Sequence, residues 1–146
     1  MGHTVKSFYT ASATATSGRE GRVVADEPKL DLSLSVPKEF GGPGGEGTNP
    51  EQLFAGGYAS CFSSAVAMVA RMKKVQPGDF TVTGHVSIGK DDSGAFGLAV
   101  ELQGRFPSLA RAQAEELMHA AHEVCPYSNA TRGNVEVTLT VAEAQS

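Results

Sequence analysis

Residues 49–74 read NPEQLFAGGYASCFSSAVAMVARMKK, and this stretch fixes the architecture. Asn49 can accept a hydrogen bond as an N-cap, and Pro50 suits the first helical position. Glu51 favours the positive end of the helix dipole, and Gln52 stands where a capping box wants it. The helix is predicted to run to about Lys73 or Lys74, whose charges suit its C-terminal end, with Gln76-Pro77-Gly78 closing it. From Leu53 to Ala70 no residue is charged, a run of 18 that touches the lower limit for a membrane span. Gly56, Gly57, Ser60, Ser63 and Ser64 make it too polar for that role. A helix apolar all round is expected to be buried all round. Its small residues let another backbone approach closely. In a chain this short, full burial predicts that a second subunit covers part of the helix, in an obligate dimer.

Outward from the helix, the pattern is of strands. Val5 to Thr14 reads as a strand. Arg22–Ala25 and Leu30–Val36 read as a hairpin turning around Glu27-Pro28, with Leu30, Leu32, Leu34 and Val36 on one face. Phe80, Val82, Val86 and Ile88 alternate, as do Phe96, Leu98, Val100 and Leu102, joined by a turn over residues 91–94. A second helix is expected from Pro107-Ser108, with Ser108 as cap, to about Val124, ended by Pro126. A last strand carries Val135, Val137, Leu139 and Val141. The order is strands, helix, strands, helix, strand. It predicts an α+β fold without the alternation that builds a parallel sheet.

The chain has 146 residues, which suits one domain, 1–146. Lys and Arg number 12 against 16 Asp and Glu, a net charge of −4, and no basic run suggests a nucleic-acid partner. Met1 to Thr10 lacks the apolar region of a secretory signal, so a cytoplasmic location is expected, with no membrane association. Two cysteines in a cytoplasmic chain point to a transient, catalytic pairing if they pair at all.

Cys61 lies in the middle of the first helix. A buried cysteine is often only a small hydrophobe. To react it needs a stabilised thiolate, and the helix dipole cannot supply one roughly 18 Å from the N-terminus. A cation has to come from elsewhere. Cys125 ends the second helix. Packed helices can bring two cysteines within the roughly 7 Å between Cα atoms that a disulfide requires, although spacing does not establish the contact. Two other patterns compete. Gly42-Pro43-Gly44-Gly45-Glu46-Gly47 matches G-x-G-x-x-G, but the helix starts later and no acid follows between Gln52 and Gly78, which argues against a dinucleotide fingerprint. His119, His122 and Cys125 recur every three residues and with Cys61 make a conceivable zinc set, but this spacing drifts around the helix. Otherwise His122 is expected to hydrogen-bond near the active site.

Several segments together resemble a known family: Tyr9 to Thr16, Gly18-Arg19-Glu20-Gly21, Gly41 to Phe54, Gly57-Tyr58-Ala59-Ser60-Cys61-Phe62, and Cys125 to Asn134. They are similar to the organic hydroperoxide resistance proteins of the OsmC/Ohr superfamily, over nearly the whole chain. Gly56 and Ser60 stand where alanine is common in that family, a change conservative in size. The resemblance implies an intertwined homodimer, with antiparallel sheets wrapped around central helices. It implies a peroxidatic Cys61, a resolving Cys125 and an Arg19–Glu51 pair beside the thiolate. It further implies no resident cofactor or metal, an organic hydroperoxide substrate, and reduction by dihydrolipoyl groups of lipoylated proteins. Glu51 and Cys61 are roughly 15 Å apart along a straight helix. Either the helix bends at Gly56-Gly57, or Arg19 and Glu51 reach the site from the partner subunit. Two other classes stay open: a non-catalytic redox switch and a Cys/His metal-binding module.

Overall fold

The computed structural model describes residues 4–143. The chain forms two compact units, Met1–Pro50 and Glu51–Ser146.

The first unit holds β1 (Thr14–Thr16), β2 (Arg22–Ala25) and β3 (Leu30–Ser33) in one antiparallel sheet of order β1-β2-β3. The hairpin falls where the sequence places it, with a cis Glu27–Pro28 bond in its turn. Val23 pairs with Leu32 and Ala25 with Leu30, so the apolar residues share a face. On the other face Arg22 bonds Asp31 at 2.6 Å and Ser33 Oγ at 2.7 Å. The first strand is shorter than expected. Only Thr14–Thr16 pair, while Val5, Phe8 and Tyr9 lie exposed. Residues 5–13 lack the alternation that gives a strand an inner face, so tertiary pairing alone decides where it begins. β3 also stops early, at Ser33.

Beyond Ser33 the chain pairs with the glycine-rich loop. Leu34 forms a parallel bridge with Thr48. The Ser35 N–H donates to Thr48 O at 3.0 Å, and the Gly47 N–H to Ser35 Oγ at 2.9 Å. The Gly44 N–H donates to Val36 O at 2.9 Å. A Cβ on Gly47 would lie 2.6 Å from the Leu34 carbonyl carbon and 2.7 Å from Ser35 N. Glycine stands there because two backbones touch. With these donors already used within the loop, the arrangement is unlike a phosphate cradle.

The second unit is built on α1 (Pro50–Met72), β4 (Thr81–Lys90), β5 (Phe96–Arg105), α2 (Arg111–Val124), α3 (Pro126–Thr131) and β6 (Glu136–Val141). α1 has nearly the bounds its capping and charge signals predict. It runs unbroken through Gly56-Gly57. Within this single chain 33% of its most apolar 18-residue window is buried. Tyr58, Phe62, Ala65, Val66, Val69 and Ala70 form one buried stripe, and Gly56, Ser60, Ser64 and Met68 lie exposed on the opposite side. The sheet has order β4-β5-β6. β4 and β5 pair antiparallel over ten residues. The turn between them is fixed by Asp91, whose Oδ1 accepts from the N–H groups of Ser93 and Ala95 at 2.8 and 3.1 Å.

β5 and β6 pair parallel, contrary to the all-antiparallel expectation. The connection through α2 and α3 is a helical crossover, which a parallel pair requires. The α+β class stands; this sheet is mixed. α2 begins at Arg111, later than Ser108 suggests, and its N-cap Ala110 makes no side-chain cap bond. Residues 107–110 form a turn, closed by the Leu109 N–H on Phe106 O at 3.2 Å, and partly buried Leu109 packs on the core. Pro126 ends α2 as expected, but it also starts α3. The core lies where the buried stripe of α1 meets Val100, Leu102 and Phe106 and the inner face of α2 (Ala114, Leu117, Met118 and Ala121). Each fully buried Val, Leu, Phe or Met among them contributes about 1.5–3 kcal/mol of transfer free energy.

Candidate active site

Three elements converge on the two cysteines. Cys61 projects from the middle of α1, next to the buried stripe. Cys125 occupies the joint between α2 and α3, and its N–H closes the last turn of α2 on Ala121 O at 2.9 Å. The sulfurs are 3.6 Å apart, and both thiols are free. A disulfide bond is about 2.05 Å long, so this is the reduced pair in contact. The two are not equivalent. Cys125 is wholly buried, and Cys61 is partly exposed.

Burial raises the Cys61 pKa above the ordinary thiol value, and the neighbouring Cys125 adds to the rise. A hydrogen bond from the Tyr127 backbone acts in the opposite direction. Within this unit the balance favours the neutral thiol, so the thiolate needs a cation.

A group of hydroxyls that the sequence pattern did not single out lies behind the sulfurs. The Tyr58 hydroxyl is 2.8 Å from Ser128 Oγ and 3.1 Å from Thr131 Oγ1. His122 Nδ1 is 2.7 Å from the same Ser128 Oγ. Thr131 Oγ1 donates to Ser128 O at 3.2 Å. Tyr58, Ser128 and Thr131 are buried. Arg132 donates to the His122 carbonyl and, at 2.6 Å, to Asn129 Oδ1. The Tyr58 ring packs against those of Phe54, Phe62 and Tyr127, at centroid distances of 6.3, 6.5 and 5.7 Å. The only sequence signal for this group is a tyrosine in an otherwise hydroxyl-poor buried stripe, together with Ser128 and Thr131 one turn apart. His122 does hydrogen-bond here, as expected. Its pKa is lowered, first by burial and then by the Arg132 charge. His119 is exposed. Among the described residues no group of three or more His, Cys, Asp and Glu side chains could hold a metal ion.

The other two expected site residues are Glu51 and Arg19. Glu51 is in the first turn of α1, ten residues and roughly 15 Å of helix from Cys61. Arg19 belongs to the first unit, in the 3-10 turn Gly18–Glu20, with its guanidinium 4.8 Å from the Phe40 ring centroid.

Two free thiols in contact, one reachable and one shielded, on facing elements of an α+β unit, define a dithiol site. Residues 42–140 match the OsmC-like protein family. An organic hydroperoxide resistance protein of Xanthomonas axonopodis pv. citri is 54% identical over 138 residues, covering 94% of this chain and 96% of its own. The organic hydroperoxide resistance protein OhrB of Bacillus subtilis is 46% identical over 136 residues, covering 90% and 96%. The crystal structure of an organic hydroperoxide resistance protein from Legionella pneumophila superposes with a TM-score of 0.87 at 47% identity, covering 94% of this chain and all of that one. The chain therefore belongs to the OsmC-like family, on its organic hydroperoxide resistance branch.

Proposed function

We propose that this protein is a two-cysteine thiol peroxidase that detoxifies organic hydroperoxides, alkyl and lipid, in the cytoplasm. The observation that carries this reading is the 3.6 Å contact between a partly exposed Cys61 and a buried Cys125. The reachable sulfur is the one a hydroperoxide meets first. The Cys61 thiolate attacks one peroxide oxygen, the O–O bond breaks, and the alkoxide leaves and takes a proton to give the alcohol. Cys61 is then a sulfenic acid. Cys125 condenses with it, forming the disulfide and releasing water, before a second hydroperoxide can drive it to sulfinic acid. An external dithiol, the dihydrolipoyl group of a lipoylated protein, restores the pair by thiol–disulfide exchange.

The activating cation is Arg19, oriented by Glu51. A guanidinium beside the sulfur stabilises the thiolate and presents a fork of donors to the peroxide oxygens. The unbroken course of α1 favours delivery of this pair by a second copy of the chain, because Glu51 and Cys61 of one helix are far apart. The uncharged, exposed side of α1 supports the same homodimer, because a second subunit can cover it without burying charge. In the test, purified protein is given cumene hydroperoxide or hydrogen peroxide, with dihydrolipoamide or thioredoxin as reductant. Sustained turnover is expected with the organic peroxide and dihydrolipoamide. Cys61→Ser should abolish it, and Cys125→Ser should allow one turnover followed by sulfinic acid. Reversible disulfide formation without turnover would instead identify a redox switch.

A further inference from the structure

The four hydroxyl and imidazole contacts behind the sulfurs can all be made in only one direction. Thr131 Oγ1 donates its hydrogen to the Ser128 carbonyl, which can only accept. Thr131 Oγ1 is then an acceptor toward Tyr58, so the Tyr58 O–H points to it. The Tyr58 oxygen must in turn accept from Ser128, whose single hydrogen is thereby used. Ser128 Oγ has nothing left to donate to His122, so His122 Nδ1 must carry a hydrogen and donate. Any other assignment leaves one contact without a hydrogen between its atoms.

The chain's ends have a functional place. Tyr58 is one helical turn before Cys61 on α1, His122 is one turn before Cys125 on α2, and Ser128 sits on α3 just past Cys125. We propose that Ser128 is the hub of a directional chain, from His122 Nδ1–H through Ser128 and Tyr58 to Thr131, that positions Cys125 against Cys61 and holds His122 in its Nδ1–H tautomer. These are positioning residues, since none is placed on the peroxide. The proposal rests on the peroxidase reading only for its purpose; the geometry it concerns is that of the dithiol itself. A hydrogen bond is short and directional, whereas apolar packing at the same joint tolerates sliding. The chain therefore sets the register that packing alone leaves loose.

The test uses no hydroperoxide, so it stays readable if the peroxidase reading fails. The intact protein is equilibrated in glutathione buffers. One glutathione disulfide oxidises the Cys61 and Cys125 thiols to their disulfide and is itself reduced to two glutathiones. The equilibrium constant is the pair's effective molarity. Ser128→Ala is expected to lower it by about tenfold, the scale of one buried hydrogen bond lost. Tyr58→Phe, which removes a single oxygen, should lower it likewise and serves if Ser128→Ala does not fold. His122→Ala should match them, while His122→Asn, whose amide can donate from nearly the same place, should recover most of the loss. Imidazole 15N shifts of the unaltered protein should show His122 protonated at Nδ1. A role in packing alone would not produce the rescue. The proposal is overturned if Tyr58→Phe keeps the original effective molarity, if His122→Asn fares no better than His122→Ala, or if the neutral ring carries its proton on Nε2.

Discussion

Gly84 holds α1 against the sheet, and Gly84→Ala tests that arrangement. The residue lies on the inner side of β4, between Val82 and Val86. A Cβ there would come 2.8 Å from the Ala55 carbonyl oxygen and 3.4 Å from the Ala55 Cα. Both atoms are helix backbone, which cannot rotate away as a side-chain tip can. The helix must lift from the sheet, or the strand must bend. Overpacking of this kind costs about 1–3 kcal/mol. For a chain of this size that is a fall in Tm of roughly 3–12 °C. Gly89→Ala and Gly97→Ala are the controls. They lie in the same sheet, and a Cβ at either meets nothing within 4 Å. Each should stay within about 0.5 kcal/mol of the unaltered protein. Thermal unfolding followed by circular dichroism, at one fixed protein concentration, measures all three. If Gly84→Ala melts within 1–2 °C of the two controls, roughly the scatter expected of surface changes, the close helix–strand approach is not what glycine serves there.

Three further outcomes follow from the site. A heterodimer of one Arg19→Ala chain and one Cys61→Ser chain should retain hydroperoxide turnover, because its intact Cys61 meets Arg19 from the other copy; an inactive heterodimer, beside active unaltered protein, would place the arginine in cis. Cys125 raises the Cys61 pKa, so Cys125→Ala should move the pH midpoint of Cys61 alkylation by iodoacetamide downward; an upward shift would contradict the assigned cause. The depressed His122 pKa means that the folded state resists a proton the unfolded chain accepts. That contribution to stability is present above the ordinary value of 6.5 and is lost as pH falls through the folded pKa. Urea unfolding between about pH 7 and pH 5 should show a shallower loss of stability in His122→Asn, and equal slopes would refute it.

What could be read from the sequence was local. α1 was legible because Pro50, Glu51 and the closing lysines are signals along one helix, and the β4–β5 hairpin because its apolar residues alternate around an Asp–Gly turn. Spacing makes the cysteine pair no more than a possibility, and its expected roles rest on family likeness, since 64 residues separate the two cysteines and no spacing rule joins them. The sequence does not announce α3, because a proline behind a helix signals a stop, although the same missing N–H that ends one helix suits the start of the next. The parallel pairing of β5 with β6 has no sequence signal, because a single crossover leaves no repeated alternation. The Tyr58–Ser128–His122 contacts had no periodic signature at all. They join three helices, and only folding brings their hydrogens and lone pairs together.

The joint at Cys125 bears on how the thiols can close. To bond, two sulfurs now 3.6 Å apart must come to about 2.05 Å. Cys61 sits mid-span in a 23-residue helix whose ladder of bonds resists any local shift. Cys125 sits at a corner, in extended conformation, with a proline after it. Its N–H closes α2 on Ala121 O and its carbonyl accepts from the Asn129 N–H of α3, so the sulfur closes the gap by turning its side chain, which leaves both helices wound. One thiol is the anvil and the other the hammer, and the hammer's handle is a single residue.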